Sequence, residues 1–324
     1  MKTLSILAIL SCISLLNATV QDEIPPNEEY TPWLTGSLIA PLGTVITEGH
    51  FEIDSYVYFS SYTGSYNSKW ETATSPNFFS INPQFLCTFG LTPWMDIQII
   101  PQFYYQNYLS QNGAGFGDLP VGLDFQLYPA DKEFWFPGIK LGISEIFPTG
   151  KFENLDPNKL GTDATGAGSF STLFSLVLYK IYHLYKHHFL SVSASGTYQM
   201  PGSVNVNGAN VYGGGFGTKG RVSPGNNFTG ILSFELSLSQ NWALALDNVW
   251  SHTDRSQFSG SAGFDENGDP FSVGAPSSEQ LSFAPAIEYN FAENMGLIAG
   301  CWFTALGRNS SEFRNAVMNL YYYY

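Results

Sequence analysis

Asp118-Leu119-Pro120-Val121-Gly122-Leu123-Asp124-Phe125-Gln126-Leu127 sets Leu119, Val121, Leu123, Phe125 and Leu127 on one face and Asp118, Gly122, Asp124 and Gln126 on the other. Side chains alternate across a β-strand, so a one-residue slip would carry two carboxylates onto the apolar side; the register is therefore well specified. The pattern recurs on both sides of this segment. Upstream, residues 50–59 place Phe51, Ile53, Val57 and Phe59 opposite Glu52, Asp54, Tyr56 and Tyr58, and residues 95–105 place Met95, Ile97, Ile99 and Phe103 opposite Asp96, Gln98, Gln102 and Tyr104. Downstream, Phe228, Leu232, Phe234 and Leu236 oppose Thr229, Ser233 and Glu235.

Further segments at 78–89, 138–147, 169–179, 189–199, 242–252, 280–289, 296–305 and 314–324 read the same way, for about twelve strands over residues 49–324. Connections beginning at 60, 106, 148, 200, 253 and 306 are predicted to be mostly long, with a Gly-rich gap at 113–117, and those at 90, 129, 180, 239 and 290 mostly short. Strands of this length, joined alternately by short and long connections, predict an all-β, antiparallel, up-and-down transmembrane barrel. An even strand number puts both ends on the short-turn side. Pro101 and Pro120 weaken their strands locally, because proline removes a ladder donor.

Composition agrees. Charged residues form 12% of the chain, about half the globular average, whereas aromatic residues reach 16%. A water-facing surface is built largely from charge, so much of this exterior faces something else. Lys2, the apolar stretch Leu4–Leu16 and the small Ala18 have the layout of an export signal, read as residues 1–18. The mature chain then holds 27 acidic and 12 basic residues, a net charge of −15, which argues against nucleic acid as a partner. Residues 19–48 break the barrel pattern, beginning acidic and proline-rich. They are expected either to fold into the lumen as a plug or to remain a periplasmic tail or extra strand. Cys87 and Cys301 fall on non-neighbouring strands, too far apart for a disulfide.

Catalytic patterns are weak. None of His50, His183, His187, His188 and His252 has a serine two residues later, and Ser251-His252-Thr253-Asp254 sits at a loop edge with neighbouring side chains pointing to opposite faces. No enzyme activity, metal or cofactor is expected. His183, Lys186, His187 and His188 read as solvated or headgroup-facing charge, and Asp265-Glu266-Asn267-Gly268-Asp269 lacks calcium-loop spacing. The inward faces carry Glu52, Asp54, Asp96, Asp118, Asp124, Glu235, Asp247 and Glu288, opposed by Lys140 and Arg314. Such a lining favours cations in a pore.

Residues 117–168 also carry a resemblance. Gly117-Asp118 opening a strand, Phe147-Pro148-Thr149-Gly150-Lys151-Phe152, and Asn154-Leu155-Asp156-Pro157-Asn158-Lys159-Leu160-Gly161-Thr162-Asp163-Ala164-Thr165-Gly166-Ala167-Gly168 resemble the outer-membrane barrel family named for the meta-cleavage phenol-degradation pathway, as does the Gly90–Asp96 turn. The resemblance implies transport of small, often apolar or aromatic compounds, and brings no functional residues with it. Gly150, Gly161, Gly166 and Gly168 are expected at turns with positive φ. Thr162 and Asp163 either fold the loop inward as a constriction or belong to a purely external loop.

The expected protein is a passive channel for small solutes in the bacterial outer membrane, with lipid and the solutes as partners. Its aromatic terminal strand, Leu320 followed by four tyrosines, resembles the signal read by the barrel-assembly machinery. The alternatives are a surface barrel displaying loops 200–227 and 253–279 and, more remotely, a barrel hydrolase.

Overall fold

The computed structural model describes residues 33–324 except 131–134, 186–187 and 266; the export-signal reading of 1–18 and the acidic start of 19–48 lie outside the described residues. Twelve antiparallel strands close into a barrel. They are β1 (Phe51–Tyr66), β2 (Thr72–Thr92), β3 (Met95–Ile99) continued by β4 (Phe103–Tyr108), β5 (Gln111–Phe116) continued by β6 (Leu119–Tyr128), β7 (Gly138–Phe147), β8 (Ser171–Tyr185), β9 (His188–Pro201), β12 (Asn227–Ser237), β13 (Trp242–Thr253), β15 (Ser278–Ala292), β16 (Met295–Arg308) and β17 (Ser311–Tyr323). β1 pairs with β2 on one side and β17 on the other, which closes the sheet. At the seam Phe51 and Tyr324 exchange both main-chain hydrogen bonds at 2.8 Å. Closure matters because a sheet edge in hydrocarbon would leave main-chain groups without partners.

The alternation read from sequence sorts the two faces. Phe85, Phe89, Ile97, Ile143, Phe174, Leu176, Leu232, Leu246 and Ile287 point outward and are exposed, while Glu52, Asp54, Asp96, Asp124, Glu235, Asp247 and Glu288 point inward and are buried. Each outward side chain of this size gains about 1.5–3 kcal/mol when covered by hydrocarbon. Both chain ends of the barrel lie with the short connections 93–94, 238–241 and 293–294.

The upper side differs from expectation in three of its six connections. Those at 67–71, 109–110 and 309–310 are short, and only 148–170, 202–226 and 254–277 are long. β1 and β2 run for 16 and 21 residues, well beyond the roughly ten that cross a bilayer, so residues 60–66 continue a hairpin above it. The Gly-rich run at 113–117 is mostly strand β5, paired with β4, rather than a gap. Its glycine has a packing reason: a Cβ on Gly113 would collide with the carbonyl of Thr162, where the 148–170 loop lies against the wall. Pro101 does interrupt its strand, between β3 and β4, whereas Pro120 stays within β6 and its carbonyl accepts from Ile100 N at 3.0 Å.

Two of the long connections build a second, three-stranded sheet, from β10 (Val204–Asn207), β11 (Lys219–Ser223) and β14 (Gln257–Ser261). Val204, Val206 and Val222 form its small core, covered by Phe152, Tyr212, Phe258 and Val273.

Candidate functional site

The lumen is crossed by the chain's own residues 33–48. Main-chain N–H groups of this segment donate to side chains of the wall: Thr35 to Glu288 Oε1 at 2.9 Å, Ile39 to Asp247 Oδ2 at 2.7 Å, Val45 to Gln126 Oε1 at 3.0 Å and Ile46 to Asp96 Oδ2 at 2.9 Å. Gly36 lies beside Glu235 and Ala40 beside Asp247. In return Asn290 Nδ2 donates to the Trp33 carbonyl at 2.8 Å. Between these polar contacts Leu38 is completely buried against Ala245, Ala284, Ile298 and Val317, with Tyr56, Tyr58 and Trp302 packed around that cluster. The segment leaves the lumen where Glu48 bridges to Gly90 and enters β1.

The predicted lumen residues therefore fall into groups. Asp96, Asp247 and Glu288 hold residues 33–48, with Glu235 beside Gly36. Asp124 instead faces Lys140 Nζ at 2.7 Å, with Lys140 only 3% exposed, and accepts from Gln98 Nε2 at 2.9 Å. Asp54 accepts from Asn319 Nδ2 at 2.7 Å, and Glu52 is buried beside it on the same face. Arg314 is not a lumen residue: its side chain is 73% exposed, because Phe313 and Asn315 take the inward positions of β17.

Asp118 stands at the outer end and receives the 148–170 loop. Its Oδ1 accepts from Gly150 N at 2.9 Å and its Oδ2 from Ala167 N at 2.7 Å, so a single carboxylate clasps both arms of the loop. Gln106 Nε2 reaches the Ala164 carbonyl at 3.0 Å. Thr162 and Asp163 are buried, and Asp163 Oδ2 accepts from Lys151 Nζ at 2.5 Å and Asp156 N at 3.2 Å. Burial raises the Asp163 pKa, but the Lys151 hydrogen bond and charge and the Asp156 N–H outweigh it and hold the carboxyl below its usual range. Tyr212 of the neighbouring connection donates to the Ala167 carbonyl at 2.7 Å, and burial together with the Asp118 charge pushes its phenol up to about 12. A cavity of about 370 Å³ remains between this loop and the wall, lined by Gln102, Tyr104, Gln106, Asp118, Thr165 and Val211.

The loop glycines divide by cause. Gly161 and Gly168 have φ of +83° and +69°, as expected. Gly150 and Gly166 do not; they are glycines because the two arms cross there, and a Cβ on either would stand 2.7 Å from the Cα of the other. At the loop edge, His252 Nε2 lies 3.3 Å from Asp254 Oδ1 and its Nδ1 3.5 Å from Glu279 Oε1, so both ring nitrogens face carboxylates and neither addresses a serine. Asp265 Oδ1 accepts from Asn267 N and Asp269 N, closing a turn on itself. Among the described residues no group of three or more His, Cys, Asp or Glu side chains is arranged to hold a metal ion.

Among solved structures, the chain is similar to an outer membrane channel from Pseudomonas putida F1, with 11% identity, 87% of this chain and 98% of that one covered, and a TM-score of 0.65. The chain shares the fold of that outer-membrane β-barrel. More distant likenesses include the translocator domain of autotransporter NalP from Neisseria meningitidis, at 8% identity over 86% of this chain and 90% of that one with a TM-score of 0.46. A further one is a TodX monoaromatic hydrocarbon channel mutant, at 10% identity over 86% and 91% with a TM-score of 0.37. At those scores neither bears on function. No family model and no curated protein matches the chain.

Sequence reasoning missed the residues that contribute main chain rather than side chain: Thr35, Ile39, Val45 and Ile46. A signal was nevertheless present at residues 296–305, where alternation is blurred. Ile298 is an apolar residue on the inward face, 2% exposed, and it is apolar because Leu38 packs on it.

Proposed function

We propose that this barrel is an outer-membrane channel for passive passage of small solutes, closed in the state described by residues 33–48 and narrowed at its outer mouth by the 148–170 loop. The observation that carries the reading is how the segment is held. The segment is attached largely through main-chain N–H groups to side-chain oxygens of a polar wall, with Leu38, Ala40 and Ile46 as its buried apolar residues, and each such hydrogen bond is worth little net free energy because water can replace it. The Pseudomonas putida barrel is described as an outer membrane channel, which is consistent with this function. No covalent step is involved. The outer cavity mixes polar and apolar lining, from Gln102, Gln106 and Asp118 to Ala164, Ala167 and Val211, and suits solutes that carry both kinds of surface.

The three-stranded outer sheet, with its own small core, favours a second reading in which the barrel anchors a displayed surface. Single-channel conductance of the refolded chain in a planar bilayer under a salt gradient separates the two. Open, cation-selective steps that become frequent when residues 19–48 are removed support the channel; a folded barrel silent in both forms supports the anchor.

A further inference from the structure

We infer that the lumen is built for organic ammonium compounds with a hydrocarbon body, such as linear alkyl diamines. The inference rests on the channel reading and adds the class of solute. Residues 35–40 act as a template of that ligand. They present the N–H donor of Thr35 to Glu288, then the isobutyl group of Leu38 to an apolar patch, then the N–H donor of Ile39 to Asp247. The wall thus reads carboxylate, hydrocarbon, carboxylate along the path.

Withdrawal of the segment leaves these acceptors to water or to a permeating solute. On the wall itself Asp96 Oδ1 and Asp247 Oδ1 are buried with no hydrogen-bond partner among the described residues, while Glu52 lies against Asp54 and Glu235 against Glu288. All of these residues are no more than 4% exposed and face the lumen. An anion would be repelled, and a neutral solute would leave the charge uncompensated. A bare alkali cation answers the carboxylates but gains nothing from Ala245, Ala284, Ile298 and Val317. An alkylammonium answers both, and Tyr56, Tyr58 and Trp302 pack around the patch. Lys140, an inward ammonium of the wall, is bound to Asp124 and does not oppose the cation there.

The experiment uses the full mature chain in a planar bilayer with potassium on one side and 1,5-diaminopentane on the other. The expected result is a reversal potential showing the diamine to be more permeant than potassium, and a loss of that preference by about tenfold in Asp247→Asn/Glu288→Gln. Asp247→Asn alone, a milder change, is expected to lose part of it. A diamine no more permeant than potassium, a preference unchanged in the double variant, or benzoate passing as readily overturns the inference while leaving a channel. Absence of current with either cation, in wild type and in the chain lacking 19–48, overturns the channel reading and this inference with it.

Discussion

Replacing Leu38 by alanine tests the anchor of the lumen segment most directly. The side chain is completely buried between Ala245, Ala284, Ile298 and Val317. Truncation of a buried leucine removes about 2–5 kcal/mol, the larger values where the site cannot collapse. A rigid barrel wall collapses little, so a middle value of about 3 kcal/mol is reasonable, and at about 1.4 kcal/mol per decade this shifts the balance between inserted and withdrawn segment by roughly a hundredfold. The carboxylate contacts at Glu288, Asp247 and Asp96 survive, so the segment still inserts, but its withdrawn population rises. Barrel stability should be unaffected, because no strand pairing involves Leu38. The assay is open probability at fixed voltage, with heat-dependent gel migration as the check on folding and Phe216→Ala, at a residue 92% exposed, as a control that should not respond. If Leu38→Ala matches wild type while removal of residues 19–48 opens the pore, leucine packing is not what holds the segment, and the estimate from burial is refuted.

Asp118→Asn keeps one acceptor but turns an NH2 group toward a main-chain donor, so one of the two loop contacts at Gly150 N or Ala167 N is lost, at about 1.5–3 kcal/mol; faster amide exchange over 150–167, with β6 and β7 unchanged, is the expected readout. Lys140→Met leaves Asp124 buried without its cation and is expected to lower the melting temperature more than Lys140→Met/Asp124→Asn does, a coupling that a double-mutant cycle measures. Asp163 has a depressed pKa, so the stability it lends the loop is complete above its unfolded value of about 3.9 and is lost as pH falls through the lower folded value. Because Lys151 is 47% exposed, solvent screening keeps the contribution below about 1 kcal/mol. A spin label at Asn158→Cys, in a Cys87→Ser/Cys301→Ser background, should stay immobile from neutral pH to about 4 and loosen below it, and Lys151→Met should move that onset to higher pH; mobility that is independent of pH would contradict the latch.

The barrel itself was legible in the chain because its signal is local. A period of two, as in residues 118–127, needs only neighbouring residues to be read, and it returned twelve strands and set Glu52, Asp96, Asp124, Asp247 and Glu288 on the face opposite the exposed apolar side chains. Strand ends above the membrane were less legible, since water on both faces of β1 and β2 there removes the alternation. The glycines at 113–117 misled because glycine marks both turns and close approach, and only the Thr162 carbonyl on the other side decides which. What the carboxylates do was decided by tertiary structure alone. Glu288 and Thr35, or Asp247 and Ile39, meet across separations of 253 and 208 residues. The donor in each case is a main-chain N–H, which every residue but proline possesses, and so no side chain in the sequence announces it.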